Sequence, residues 1–239
     1  MINPCISVVK PASILGVAAS PPVVVRVTAG GYTVKGGAIV AYDAALEKAL
    51  EDMKGIVPYA VASKSGTDYD GDRFRVPFFN RVFFVQYPEV RVVEEGSSTP
   101  VPQHVEIILL HYLLQADGAA IADEWITYRQ FPGAHFFESR FLQMAVNPLV
   151  SIFGDDLEGF ERAGTALGGI PMTRSGDAAF KFMALPRVPM GCILYLGEEE
   201  IPSSVNVLFD ASASSYLPTE DLSLLGVILV GAMKKARQA

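Results

Sequence analysis

The sequence predicts an α+β protein: a mostly antiparallel sheet packed with helices in a single domain. Three observations carry this. Runs that alternate β-branched and aromatic residues with polar ones are interspersed with runs of helical periodicity. The breaks between them are short Gly/Pro turns, which favour hairpins over βαβ units. The chain has 239 residues, of which 50% are hydrophobic, enough to bury a sizeable core.

Residues 1–42 are rich in Pro, Gly, Val and Ala and read as an N-terminal extension or hairpin appendage; residues 43–239 form the α+β domain. In the extension, residues 23–27 and 32–34 read as short strands around a turn signal at Gly30 and Gly31. Asp43 is placed to cap a helix running to Lys54 and ending at Gly55. Its Leu46, Ala49, Leu50 and Met53 fall at i, i+3, i+4 and i+7, a single apolar stripe. Residues 74–87 predict a β-hairpin, residues 90–93 a further strand and residues 96–102 a loop. Residues 103–114 are apolar on nearly every side, the mark of a buried helix, which Ala116, Asp117 and Gly118 end.

Residues 125–131 alternate like a strand and stop at Pro132 and Gly133. Residues 136–145 read as helical. Asn147 as N-cap with Pro148 at the first helical position opens a short helix ending at Gly154. Asp155 and Glu158 have capping-box spacing for another, ending at Gly168 and Gly169. Residues 177–185 and 191–196 predict two strands joined across Pro186, Arg187, Val188 and Pro189. Glu198, Glu199 and Glu200 mark a solvated turn. Residues 202–209 fit a short helix or a strand equally. The last helix opens at Thr219, with Glu220 and Asp221 in its first turn.

The net charge of −7 argues against a nucleic-acid backbone as ligand, which needs concentrated Lys and Arg. The one cationic cluster, Lys234, Lys235 and Arg237, suits the C-terminal end of the last helix. Charged residues make up only 19%, so a surface partly covered by a protein partner or a second copy is expected. Cys5 and Cys192 are far apart and form no CxxC pair, so this chain alone supplies no four-thiolate zinc or iron–sulfur site. A reduced cytoplasmic compartment is expected. The longest apolar run, residues 224–233, falls short of the ~20 residues that span a bilayer, and no membrane role is expected. Residues 14–19 faintly resemble a signal peptide, but Lys10 and Pro11 interrupt the apolar stretch and no basic region precedes it.

Chemistry-bearing residues cluster around the run from Asp210 to Tyr216, polar and small between two apolar elements. The candidate pocket comprises His111, Arg187, Asp210, Ser212, Tyr216 and Glu220. His111 sits among Leu110, Tyr112, Leu113 and Leu114, either as a core histidine or as a proton carrier or ligand facing a pocket. His104 lies seven residues before it, roughly 10 Å along the helix and too far to share a metal. Arg187, rigid between prolines, suits a salt bridge with Asp177 or Asp210, or a carboxylate or phosphate. Asp210 either caps a turn or joins Glu220 in a proton-transfer or cation site. Tyr128 and Arg129 point to opposite faces if their strand is regular. The run Asp68, Tyr69, Asp70, Gly71, Asp72 begins like a calcium loop, but Arg73 and Phe79 stand where glycine and a closing glutamate belong, so it reads as a turn. No G-x-S-x-G elbow supports a serine nucleophile. No metal-ligand set is complete, and no particular cofactor is implied.

Several ordered blocks carry a family resemblance: Leu110-His111-Tyr112-Leu113, Tyr128-Arg129-Gln130-Phe131-Pro132-Gly133, Gly176-Asp177-Ala178-Ala179-Phe180 and Pro186-Arg187-Val188-Pro189. The strongest is Leu208-Phe209-Asp210 followed by Tyr216-Leu217-Pro218-Thr219-Glu220-Asp221-Leu222. From Tyr42 onward the chain resembles the uncharacterised domain of unknown function 3786 family. The resemblance implies an anaerobe-associated protein with no assigned reaction. Some relatives carry an N-terminal four-cysteine iron–sulfur module like that of corrinoid-protein subunits, whereas residues 1–42 here hold only Cys5. Two functions are expected. The first is a non-catalytic binding or accessory protein in anaerobic cofactor, iron–sulfur or corrinoid metabolism. The second is an enzyme acting on a small polar molecule through a His/Asp/Arg pocket. A divalent-metal site built from acidic residues is a third.

Overall fold

The computed structural model describes residues 25–28, 31–34, 38–173 and 175–238, with side chains from Asp43 onward. In the first unit, β1 (Val25–Thr28) pairs antiparallel with β2 (Gly31–Val34). The rest is an α+β domain of two antiparallel sheets packed with helices.

The first sheet is a meander of β3 (Asp68–Tyr69), β4 (Arg73–Phe78), β5 (Arg81–Gln86) and β6 (Arg91–Glu94). In β4 the buried residues Phe74, Val76 and Phe78 alternate with Arg73, Arg75 and Pro77, so one face meets the core and the other water. The second sheet runs in the order β7, β11, β10, β9, β8. Its strands are β7 (Trp125–Thr127), β8 (Ile170–Pro171), β9 (Ala178–Leu185), β10 (Val188–Tyr195) and β11 (Ser204–Asp210). β9 and β10 are buried almost throughout, because both faces of these central strands are covered. The sheets meet where the Phe79 N–H at the β4–β5 turn donates to the Ala184 carbonyl at 2.9 Å.

Of residues 202–209, ambiguous in sequence, 204–209 are strand because β11 fills the slot between β10 and β7; pairing decides what propensity leaves open. The opposite happens to residues 125–131. Only three residues pair, and the Thr127–Gln130 capping box then turns the chain into a 3₁₀ turn, Tyr128–Gln130. Tyr128 and Arg129 therefore do not alternate across a sheet. Tyr128 is buried, stacked on Phe141 at 4.3 Å, and Arg129 is exposed, 3.7 Å from Glu138.

Several caps also differ from expectation. α1 (Ala38–Met53) begins before Asp43, whose carboxylate accepts from Gln103 Nε2 at 2.7 Å instead of capping. Its apolar stripe is as expected, with Ala49 and Met53 buried and Leu46 and Leu50 packed on the core. Residues 136–145 are not one helix. A 3₁₀ turn (Ala134–Phe136), α4 (Glu138–Phe141) and a π-helical turn (Leu142–Val146) lead straight into α5 (Asn147–Phe153), so Asn147 is helical and not a cap. α6 (Leu157–Ala166) is capped by Asp156 rather than Asp155, through the Gly159 N–H at 2.8 Å.

α2 (Pro58–Ser65) is unforeseen, although Pro58 at its first position and left-handed Gly66 at its end are signals of a start and a stop. The buried helix expected over residues 103–114 is α3 (Gln103–Gln115). α7 (Thr219–Arg237) closes the fold. Its Leu222, Leu225, Leu229, Val230 and Met233 are all buried in the common core. The apolar last helix thus faces inward, which removes one motive for expecting it to bind a partner.

Candidate functional site

Asp210 is 2% exposed. Its Oδ1 accepts from the N–H groups of Ala122 (2.9 Å) and Ser212 (3.0 Å) and from Ser212 Oγ (2.6 Å). Burial alone raises this carboxyl, but the hydrogen bonds outweigh it and hold the group below the usual carboxylate range. Asp210 and Ser212 thus come together as a turn lock that opens the 3₁₀ turn Ala211–Ser215. Tyr216 is fully buried and donates its hydroxyl to the Ala119 carbonyl. Asp210 and Tyr216, at the two ends of the expected pocket loop, thus pin Ala122 and Ala119.

Tyr112 on α3 is a second pin. Its hydroxyl donates to the Ser65 carbonyl at the end of α2 and accepts from the Arg187 N–H at 3.1 Å. Burial pushes this phenol well above its ordinary range. The Arg187 side chain lies over Gly66. A Cβ there would sit 3.0 Å from Arg187 Nε, so a glycine at φ 70° answers both the left-handed turn and the close approach. Neither salt bridge expected of Arg187 forms. The Asp177 carboxylate accepts from the Leu196 N–H at 2.7 Å, and Asp210 is engaged as above.

His111 shares a partner that sequence reasoning missed. Its Nδ1 is 2.6 Å from Oδ2 of Asp221, whose side chain is only 7% exposed. The sequence signal for Asp221 is only its place as an acid in the first turn of α7. The helix positions point Asp221 at α3, while Glu220, one residue back, points elsewhere. The His111 side chain is 23% exposed, and no described residue hydrogen-bonds its Nε2. Every buried polar side-chain atom among the described residues has a partner, so Nε2 reaches solvent. With Nδ1 held by a carboxylate, Nε2 is the ring nitrogen left facing solvent.

Glu220 is exposed and lines a small pocket of about 50 Å³ with Phe137, Arg140, Met144, Ser223, Leu224 and Val227. Tyr128 lies beneath it, its phenol pushed up to about 12 by burial and by the charge of Glu220, against a lowering contact from Ser223. No hydrogen bond or ion pair joins Glu220, His111, Arg187 and Asp210 to one another among the described residues. Asp70 likewise serves its own turn, accepting from the N–H groups of Asp72 and Arg73 and pairing with Arg73 Nε at 3.1 Å. No group of three or more His, Cys, Asp or Glu residues suited to a metal ion occurs among the described residues. No helix among them is long and apolar enough to cross a membrane.

This is an α+β protein with two antiparallel sheets, whose conspicuous polar side chains mostly lock loops to the core. It belongs to the family defined by the domain of unknown function DUF3786, whose model matches residues 58–232. No curated protein and no solved structure matches the chain.

Proposed function

We propose that this chain is a non-catalytic binding or accessory protein, and that its ligand is a small polar molecule. The observation that carries this is how the predicted pocket residues are used. Asp210, Ser212 and Tyr216 hold backbone, and the polar atoms still open to solvent, on His111, Arg187 and Glu220, are not joined into one constellation. Catalysis needs acid, base and electrophile held within about 3 Å of shared reacting atoms. Binding needs only one or two well-placed polar groups. The setting in anaerobic cofactor, iron–sulfur or corrinoid metabolism rests on the family resemblance alone. Native mass spectrometry of protein purified without air tests the reading: a retained small molecule is expected. A ligand-free chain that turns over a polar substrate would overturn it.

One observation favours the second reading, an enzyme acting on a small polar molecule. The His111–Asp221 pair has the form of an oriented general base. If it acts so, Asp221→Asn costs activity about 10²- to 10⁴-fold on whatever substrate is found, by presenting the wrong tautomer. An unchanged pH–rate profile in that variant would remove the reading.

A further inference from the structure

Among the arginines whose side chains are described, Arg187 alone is not exposed. A half-buried arginine gives up part of its hydration, so it is where an acceptor or a carboxylate is most expected. Of the eight exposed arginines with described side chains, Arg73, Arg81, Arg129, Arg162 and Arg237 have a carboxylate within salt-bridge reach, while Arg75, Arg91 and Arg140 have none among the described residues. The Arg187 guanidinium has neither a carboxylate nor a hydrogen-bond acceptor among the described residues. Since no buried side-chain nitrogen is left unpartnered, its free N–H groups open to solvent.

The side chain is nonetheless held. Its own backbone N–H is fixed by Tyr112, Pro186 precedes it, and its Cγ and Nε lie against Gly66. Tyr112, whose hydroxyl accepts from the Arg187 N–H, lies 5.8 Å ring to ring from Tyr216, so Arg187 stands beside the loop that follows Asp210. Lys64, in the last turn of α2, is exposed, packs beside Gly118 and has no carboxylate partner among the described residues. The acid of this neighbourhood, Asp117, influences Tyr216 and turns its Oδ1 to the Ala119 N–H at 2.8 Å.

The competing account is that Arg187 complements the C-terminal dipole of α2. That interaction is weak and confined to the last turn, and it leaves the solvent-facing N–H groups of the guanidinium without an anion. The carbonyls at the end of α2 are also engaged: Ala62 accepts from the N–H groups of Gly66 and Thr67, and Ser65 accepts from the Tyr112 hydroxyl. We propose that Arg187 is the anchor of a binding site for a small oxyanion, a carboxylate or a phosphate, gripped by the planar fork of its guanidinium, with Lys64 adding positive field. This rests on the binding reading above and names the ligand class. In a chain of net charge −7, loose anion binding is disfavoured, so saturable binding reports a local site.

The test is thermal unfolding and calorimetry of the full chain with inorganic phosphate or succinate, against chloride at matched ionic strength. A saturable rise in Tm with phosphate, with succinate or with both is expected, and the arm that responds names the oxyanion. Arg187→Gln should abolish the rise. Arg187→Lys, which keeps the charge but loses the fork, should weaken binding about tenfold or more. If Arg187→Gln does not fold, the Arg187 Nε–H resonance of the wild-type chain is followed instead, and it should shift on titration with the responding anion. No binding by either anion up to ~10 mM, where binding is worth only about 3 kcal/mol, would overturn the proposal. So would an equal response in Arg187→Gln, or a loss of stability in that variant that is the same in chloride and in anion. A retained neutral or cationic molecule found by native mass spectrometry would leave the binding reading standing while this proposal fails.

Discussion

At the scale of single residues, Asp210 shows how a site-like side chain becomes structural. Its one oxygen serves three donors, two of them backbone N–H groups. Asp210→Ala should therefore cost ~2–4 kcal/mol in denaturant unfolding, and Asp210→Asn, which keeps one acceptor oxygen, roughly half of that. Cys192 gives a second residue-level prediction. Burial pushes its thiol up to about 12, so the nucleophilic thiolate is scarce at neutral pH. Peptide mapping after alkylation should find Cys192 unmodified in the folded chain and labelled once denaturant is present. Labelling at the rate of a free thiol under native conditions would contradict its burial. Sequence reasoning placed Asp210 and Ser212 in one candidate pocket with a turn-capping role weighed for Asp210, the role its hydrogen bonds fill, and it named His111 without its partner. Asp221 lies 110 residues away along the chain, and spacing carries no information about such a contact.

At the scale of elements, the irregular run from Ala134 to Phe153 is decided by its fit to α7. The π-helical turn Leu142–Val146 places Phe141 and Ala145 against Gly226, where a Cβ would come within 2.5 Å of the Phe141 ring and 3.1 Å of the Ala145 methyl. Gly226→Ala gains ~1 kcal/mol of helix propensity but forces overpacking that costs ~1–3 kcal/mol. The clash is with ring atoms locked between Tyr128 and Phe209, so the loss should win and Tm should fall. Adding Phe141→Leu should recover part of it, since the smaller side chain frees the space. A Gly226→Ala chain more stable than the parent would show that the helices separate easily. The Gly176 block has a similar basis. Gly176 has φ 60° and no room for a Cβ beside the Leu194 carbonyl, while the Asp177 N–H donates to that same oxygen at 2.9 Å.

For the whole molecule, pH is the lever. Asp210 is held below its ordinary range on balance, Glu94 by the hydrogen bond from Arg81, and Asp156 by the N–H of Gly159 and then by Arg237. A carboxyl with a lowered folded pKa adds stability above its unfolded value near ~4, and that stability is lost as pH falls through the folded pKa. Unfolding free energy should be flat from about pH 7 to 5 as far as these groups decide it, then decline toward pH 3. The difference between the wild type and Asp210→Asn should shrink over the same acid window, which urea titrations at several pH values can read. A difference that grows on acidification would have the wrong sign for a depressed carboxyl.

By itself the sequence determined the α+β class, the hairpin of β4 and β5, the buried α3 and the strands β9 and β10, because periodicity and turn chemistry are local properties. Only the tertiary structure decided the rest. It made residues 204–210 a strand by offering two partners, bent residues 134–153 around a glycine on α7, and turned that helix inward. It also gave His111 its aspartate and left Arg187 without one. Those outcomes depend on which distant surfaces meet, and a single chain read in order does not carry that pairing.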